Sequence, residues 1–230
     1  MKKLLYITVN SKAEHESVSK TVGREFIKRF MGKNPDYVLE ELDLYNEYIP
    51  EVNNRIFTGR AETVSGDQYN TLSEEDKKAV DRINALCGQF INADTYVIAA
   101  PMWSNSYPAK LKSYLDCIIL NNRVIKATPQ GAEGLLDDKE RNMIYIQSSG
   151  GAYPKFFAGK FNHGVDYVHD IFKFLGIQKF EKILVEGVDM PDIGRDEAIK
   201  LAYEDIEHVV NKLSRRAMQK AWRWRKRNNN

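Results

Sequence analysis

Cysteine is scarce in this chain. Two cysteines in 230 residues, Cys87 and Cys117, cannot build a disulfide framework. Their apolar neighbours in segments of helical spacing read as the setting of buried free thiols, which suits a reducing cytoplasm. Long apolar runs are missing as well. The longest charge-free stretch, Thr95 to Ala109, is interrupted by Pro101, Asn105 and Pro108 and is too short to span a bilayer, so no membrane insertion is expected. The apolar run after Lys2-Lys3 breaks at Thr8 and Asn10 with no small-residue cleavage site, which reads as a first strand rather than a signal peptide. Glycine-loop signatures are absent too: there is no Gly-x-Gly-x-x-Gly and no Walker lysine, which disfavours a dinucleotide clamp and a nucleoside triphosphatase. His15, His163, His169 and His208 show no metal-ligand spacing, so no metal is expected, and no Gly-x-Ser-x-Gly elbow marks a hydrolase.

Charge is present but unevenly placed. The last sixteen residues carry Arg215, Arg216, Lys220, Arg223, Arg225, Lys226 and Arg227 and no acid. Taking those seven from 34 bases leaves 27 against 32 acids, a body at −5 with a basic tail over 218–230. Such a tail could meet nucleic acid, an anionic membrane or an acidic partner, or be a solvated helix end. No nucleic-acid motif accompanies it, so the solvated helix end is the reading taken and no nucleic-acid partner is expected.

Apolar runs of strand length recur at Lys3 to Val9, Tyr37 to Leu44, Thr95 to Pro101, Arg141 to Gln147 and Glu181 to Gly187. Between and after them lie helical patterns at Ser17 to Phe30, Ser73 to Asn92, Pro108 to Leu120, Phe161 to Leu175, and Arg195 to about Ala221. Strict alternation of this kind predicts a five-stranded parallel sheet with helices on both faces, in the doubly wound flavodoxin-like order 2-1-3-4-5. Residues 1–217 form one domain in this reading. Only Tyr45 to Leu72 breaks the alternation, and it reads as a lid, a short subdomain or a dimer arm.

Ligands of such sheets bind beyond the carboxyl ends of the strands, where the order reverses. The loop after the first strand, Asn10 to Ser19, offers hydroxyls and helix N–H groups for a single phosphate without a lysine. After the third strand, Pro101-Met102-Trp103-Ser104-Asn105 sets apolar contact beside hydrogen-bonding groups, which suits a flat heterocycle. After the fourth, Ser148, Gly150 and Gly151 let the backbone approach a ligand closely.

Five segments together resemble the FMN-dependent NADH azoreductase and NAD(P)H:quinone reductase family. They are Asn10 with Ser17-x-Ser19; Ala100-Pro101-Met102-Trp103 followed by Tyr107-Pro108-x-x-Leu111-Lys112-x-Tyr114-x-Asp116; Gly131-x-x-Gly134-Leu135-Leu136; Gln147-Ser148-x-Gly150-Gly151; and Phe174-Leu175-Gly176-Ile177. The resemblance implies FMN as cofactor, NADH or NADPH as donor, a quinone or azo compound as acceptor, and a homodimer. It implies that Asn10, Ser17, Val18 and Ser19 hold the phosphate, that Pro101, Met102, Trp103, Ser104 and Asn105 line the ring edge, and that Ser148, Gly150 and Gly151 meet its other polar edge. Ser104 stands where relatives usually carry Asn, and Ser149 where many carry Arg. Ile125 and Ala127 replace aromatics in Val124-Ile125-Lys126-Ala127, so a substrate pocket of Ile125, Ala127, Tyr153 and His163 is expected to take bulkier acceptors. The rival readings are an FMN-binding electron carrier without turnover and a non-flavin regulatory domain of the same shape.

Overall fold

The computed structural model describes residues 1–153 and 161–228, with side chains described as far as Ser214. Five parallel strands form the central sheet: β1 (Lys2–Thr8), β2 (Tyr37–Asp43), β5 (Thr95–Pro101), β8 (Asn142–Ser148) and β9 (Lys179–Val185). Their spatial order is β2-β1-β5-β8-β9, the expected 2-1-3-4-5 when the sheet strands alone are counted. The helices are α1 (Val18–Lys33), α2 (Gly66–Asn70), α3 (Glu74–Asn92), α4 (Ala109–Ile118), α5 (His163–Phe174) and α6 (Gly194–Asn228).

Two-sided burial explains the unbroken apolar strands. Alternate residues of one strand point to opposite faces, so Leu5 and Ile7 join Tyr96, Ile98, Met143 and Tyr145 under α3, α4 and α5. Leu4 and Tyr6 join Val97, Ala99, Ile144, Ile146, Ile183 and Val185 under α1 and α6. Each large apolar side chain so buried stabilises the fold by about 1.5–3 kcal/mol. On the second face the close seat of α1 depends on Gly23, where a Cβ would come within 2.4 Å of the Tyr6 hydroxyl.

Four further strands lie outside the five-stranded sheet, in two hairpins. The insertion after β2 holds a hairpin of β3 (Phe57–Gly59) and β4 (Glu62–Thr63), followed by the single turn α2. It is packed down rather than projecting: Leu44, Ile49, Ile56 and Val64 are buried, Arg55 pairs with Asp76 and Arg82 with Glu47. A second hairpin, β6 (Ile125–Thr128) with β7 (Gly131–Gly134), occupies a connection that read as plain loop. Here Gly134 and Gly176 explain two of the segments that carry the resemblance. A Cβ on Gly134 would lie 2.2 Å from the Phe174 carbonyl oxygen, and one on Gly176, at φ 106, would lie 2.7 Å from the Asp137 amide nitrogen. The Leu136 amide then donates to the Leu175 carbonyl at 2.9 Å. Those glycines dock the hairpin onto the end of α5.

Smaller expectations hold or shift by a residue. Ser73 caps α3 by accepting from the Asp76 amide, and Asp76 Oδ2 accepts from the Ser73 hydroxyl. Pro108 is the N-cap of α4 rather than part of its first turn. Arg141 is not in β8: its buried guanidinium donates to the carbonyls of Leu136 and Ile91 and to Asp138, fastening the connection to the strand. Cys87 and Cys117 are buried free thiols. Among the described residues no helix is long and apolar enough to cross a membrane. Of the basic segment 218–230, the helical backbone is described to Asn228, and its side chains lie outside the described residues.

Candidate functional site

The crossover from β1 runs to one face of the sheet and that from β5 to the other, and a cleft opens between them. Its volume is about 460 Å³, within the range of cofactor pockets. Loops following β1, β5, β8 and β9 wall it, together with the start of α6.

The first wall is a network of short polar side chains. Asn10 Nδ2 donates to Ser17 Oγ at 2.9 Å, and the Ser19 hydroxyl lies 3.3 Å from Ser17 Oγ. Ser17 also caps α1 by accepting from the Lys20 amide at 3.3 Å. All three polar residues are buried, so they fix the loop's shape. The first amides of α1, those of Val18 and Ser19, have no intrahelical acceptor, the arrangement that can receive an anionic group. Lys20 is turned away: its ammonium donates to Asp43 at 2.9 Å and to the Lys12 carbonyl at 3.1 Å. Burial pushes the Asp43 carboxyl up, but the Lys20 hydrogen bond and the Tyr45 amide outweigh it and hold the group below the usual carboxylate range.

The second wall ends β5. The Met102 amide donates to the Ser148 carbonyl at 2.7 Å, and Trp103 and Ser106 exchange two backbone bonds of 2.9 Å around a two-residue turn. Ser104 and Asn105 sit at φ 48 and 60, the left-handed geometry of a type I′ turn. The turn presents Met102 and Trp103 to the cleft; Trp103 is 47% exposed, and its ring meets that of Tyr45 edge-on at 6.3 Å.

Ser148, Ser149 and Gly150 form the third wall. The loop after β9 laces onto it, with the amides of Val188 and Asp189 donating to the carbonyls of Ser149 and Gly150 at 3.1 and 3.0 Å. A Cβ on Gly150 would fall 2.4 Å from Asp189 Oδ2, so any larger residue there would have to displace the Asp189 carboxylate.

Asn10, Ser17, Val18, Pro101, Met102, Trp103, Ser148 and Gly150 therefore line one cleft. Ser19 lies behind it. Ser104 and Asn105 shape the turn, where the Asn105 carbonyl accepts from the His163 amide. Gly151 sits one step back, its carbonyl accepting from the Ser149 hydroxyl at 2.8 Å and from the Gly187 amide at 3.1 Å. Ser11, Lys12, Glu16, Ser149, Val188, Asp189 and Arg195 complete the lining and were not foreseen as ligand contacts. Of these, Lys12 and Arg195 are basic and Glu16 and Asp189 acidic. Lys12 and Arg195 both face the cleft, and Arg195 is steadied by a 2.7 Å bond from Nη2 to the His15 carbonyl.

The four expected substrate residues do not line the cleft. Ile125 is a correction: it is buried in the core beside α4. Ala127 is exposed on the β6–β7 hairpin, its amide donating to Asn121 Oδ1 at 2.9 Å. Tyr153 stacks near Phe161 at 6.4 Å, and His163 opens α5.

The arrangement suits a ligand with an anionic group at one end, facing α1, Lys12 and Arg195, and a flat apolar ring at the other, against Met102 and Trp103. The chain belongs to the flavodoxin-like fold family, whose model matches residues 2–210. An FMN-dependent NADH:quinone oxidoreductase 1 from Clostridium acetobutylicum is 55% identical over 213 residues, which are 93% of this chain and 96% of that protein. An FMN-dependent NADH:quinone oxidoreductase from Ruminiclostridium cellulolyticum is 45% identical over 93% of this chain and 100% of its own. Among solved structures, an FMN-dependent NADH-azoreductase from Bacillus anthracis in complex with FMN superposes with a TM-score of 0.80 at 27% identity, covering 93% of this chain and 100% of that one.

Proposed function

We propose that the protein is an FMN-dependent oxidoreductase that takes electrons from NADH, or NADPH, and delivers them to quinones and azo compounds. The observation that carries this reading is the two-ended cleft, with the helix amides of α1 beside Lys12 and Arg195 at one end and Met102 and Trp103 at the other, in a chain 55% identical to an NADH:quinone oxidoreductase. FMN, when bound, supplies the two-electron chemistry. The amides of Val18 and Ser19, with Lys12 and Arg195, hold its phosphate; Pro101, Met102 and Trp103 support the ring, and the Ser148 to Gly151 backbone meets its polar edge. The open side of the cleft serves donor and acceptor in turn, so the kinetics are ping-pong. No side chain with a catalytic proton is required there, because the open cleft admits water.

Tyr153, His163 and Ala127 are assigned to the acceptor side. Ala127 reaches it in a homodimer that brings one protomer's hairpin to its partner's cleft, a reading supported by the exposed Trp103, Phe161 and Tyr167. The free buried thiols favour a cytoplasmic setting. Ser17→Asp tests the site, since a carboxylate at the first turn of α1 would repel a phosphate. The variant is expected to lose flavin on desalting while remaining folded by circular dichroism; stoichiometric FMN in it would reject the assignment. Parallel double-reciprocal lines with NADH and a soluble quinone are expected, and converging lines would reject shared use of the cleft.

A further inference from the structure

Gln147 heads one of the segments that carry the resemblance, yet it does not line the cleft. On the face of the sheet covered by α5, its side chain is buried with those of Tyr145 and Asn162. Asn162 is the N-cap of α5, and its amide is engaged at both ends: Oδ1 accepts from the Val165 amide at 3.3 Å, and Nδ2 donates to Gln147 Oε1 at 2.6 Å. Gln147 Nε2 then donates to the Tyr145 hydroxyl at 3.3 Å. The start of α5 is thereby fastened to β8 by a chain of buried amides. Capping alone does not call for the second bond, since any short side chain with an oxygen would cap the helix.

The same helix start holds the turn that carries Met102 and Trp103. The His163 amide donates to the Asn105 carbonyl at 2.9 Å. The next residue seats closely on both partners: a Cβ on Gly164 would lie 2.9 Å from Gln147 Nε2 and 3.1 Å from the Ser106 carbonyl carbon. One turn further on, the Tyr167 ring sits 5.5 Å from that of Tyr107. At its other end the turn is tied to β8 directly, by the Met102 amide on the Ser148 carbonyl at 2.7 Å. Consecutive residues of one strand therefore hold both ends of the turn, Ser148 at Met102 and Gln147, through Asn162, at Asn105. The Ser148 to Gly150 wall starts from that same strand end.

We propose that Gln147 and Asn162 are positioning residues that set the spacing between the Met102–Trp103 wall and the Ser148–Gly150 wall, and with it the fit of a flat ring in the cleft. They act through the turn, not by contact with the ligand. A bond between two buried amides suits that task, because breaking it leaves both groups unpaired away from water. The assignment rests on FMN being the occupant and names the residues that keep its slot to width.

The test is dissociation of FMN from the full-length holoprotein, followed by flavin fluorescence on dilution, with hydrogen exchange at the His163 amide as a readout that needs no turnover. Asn162→Ser keeps a capping oxygen but is too short to reach Gln147, and Gln147→Leu keeps the volume but loses the bond. Each is expected to weaken FMN binding roughly tenfold, the scale of one unpaired buried amide, and to speed exchange at His163 by a similar factor while circular dichroism stays native. Asn162→Asp should restore both readouts, because the Gln147 amide can turn over, donating Nε2 to the carboxylate and accepting the Tyr145 hydroxyl on Oε1. Wild-type affinity in Asn162→Ser overturns the proposal and makes Asn162 a cap and nothing more. Equal losses in Asn162→Ser and Asn162→Asp overturn it too, and this comparison decides alone should Gln147→Leu not fold. A wild-type protein that holds no FMN would remove the reductase reading itself. Bound FMN and turnover with NADH, with both latch variants indifferent, would spare that reading and remove only the positioning pair.

Discussion

Single side chains in this protein record where packing has overridden local preference. Tyr114 is buried between Phe90 and the cysteines with a hydroxyl that has no hydrogen-bond partner among the described residues, and burial drives its phenol far above the usual range. An unpaired buried hydroxyl is a net loss, so Tyr114→Phe should leave stability unchanged or raise it by about 1 kcal/mol. A urea midpoint that fell instead would place an unseen partner at that oxygen. Ser104 shows the opposite situation. Its left-handed backbone costs a residue with a Cβ about 1–2 kcal/mol, less for asparagine, whose side chain tolerates that region. Ser104→Asn should therefore stabilise by roughly 0.5 kcal/mol with flavin affinity unaltered, because this turn acts through its backbone; a change in affinity would give the side chain a role at the ligand. Burial also pushes the Cys87 thiol up to about 11 and the Cys117 thiol up to about 12, which fits inert core residues.

Elements differ in how much of them the sequence discloses. The five sheet strands are legible because burial on both faces demands runs of Ile, Val, Leu and Tyr, and their bounds move by only one or two residues. The hairpins are not: Gly131-Ala132-Glu133-Gly134 has no strand composition, and it pairs because Gly134 admits the α5 end, not because its residues favour extension. Gly134→Ala would press a methyl group onto the Phe174 carbonyl. The expected loss is about 1–3 kcal/mol, with faster hydrogen exchange at the Leu136 amide, and wild-type exchange there would show that the hairpin docks by other contacts. The cleft divides in the same way. Walls built from loops at the switch point could be read in advance, whereas Lys12, Val188, Asp189 and Arg195 could not. Arg195 reaches the first loop from 180 residues away, and only the fold sets it beside His15.

At the scale of the molecule, the cleft is formed by one chain, whereas Ala127 stands on a hairpin away from it and would reach an acceptor only under the proposed homodimer. Sedimentation at micromolar concentration should give twice the chain mass. Ala127→Tyr should then shift the kcat/KM ratio between a small benzoquinone and a bulky naphthyl azo dye toward the quinone by roughly threefold to tenfold, the scale of one aromatic contact. A monomer with full activity, or an unchanged ratio, would return the acceptor pocket to the single chain. The sheet itself remains open at both margins, β2 and β9. Each margin is dressed in ions: Glu40 and Glu41 of β2 pair with Lys3 and Arg24, and Lys179 and Glu181 of β9 with Glu140 and Lys212. A foreign strand adding to either would have to strip those pairs of water and of one another. Native copies are thereby discouraged from joining edge to edge, and concentrated folded protein should show no strand-added aggregates on storage, as thioflavin fluorescence would report.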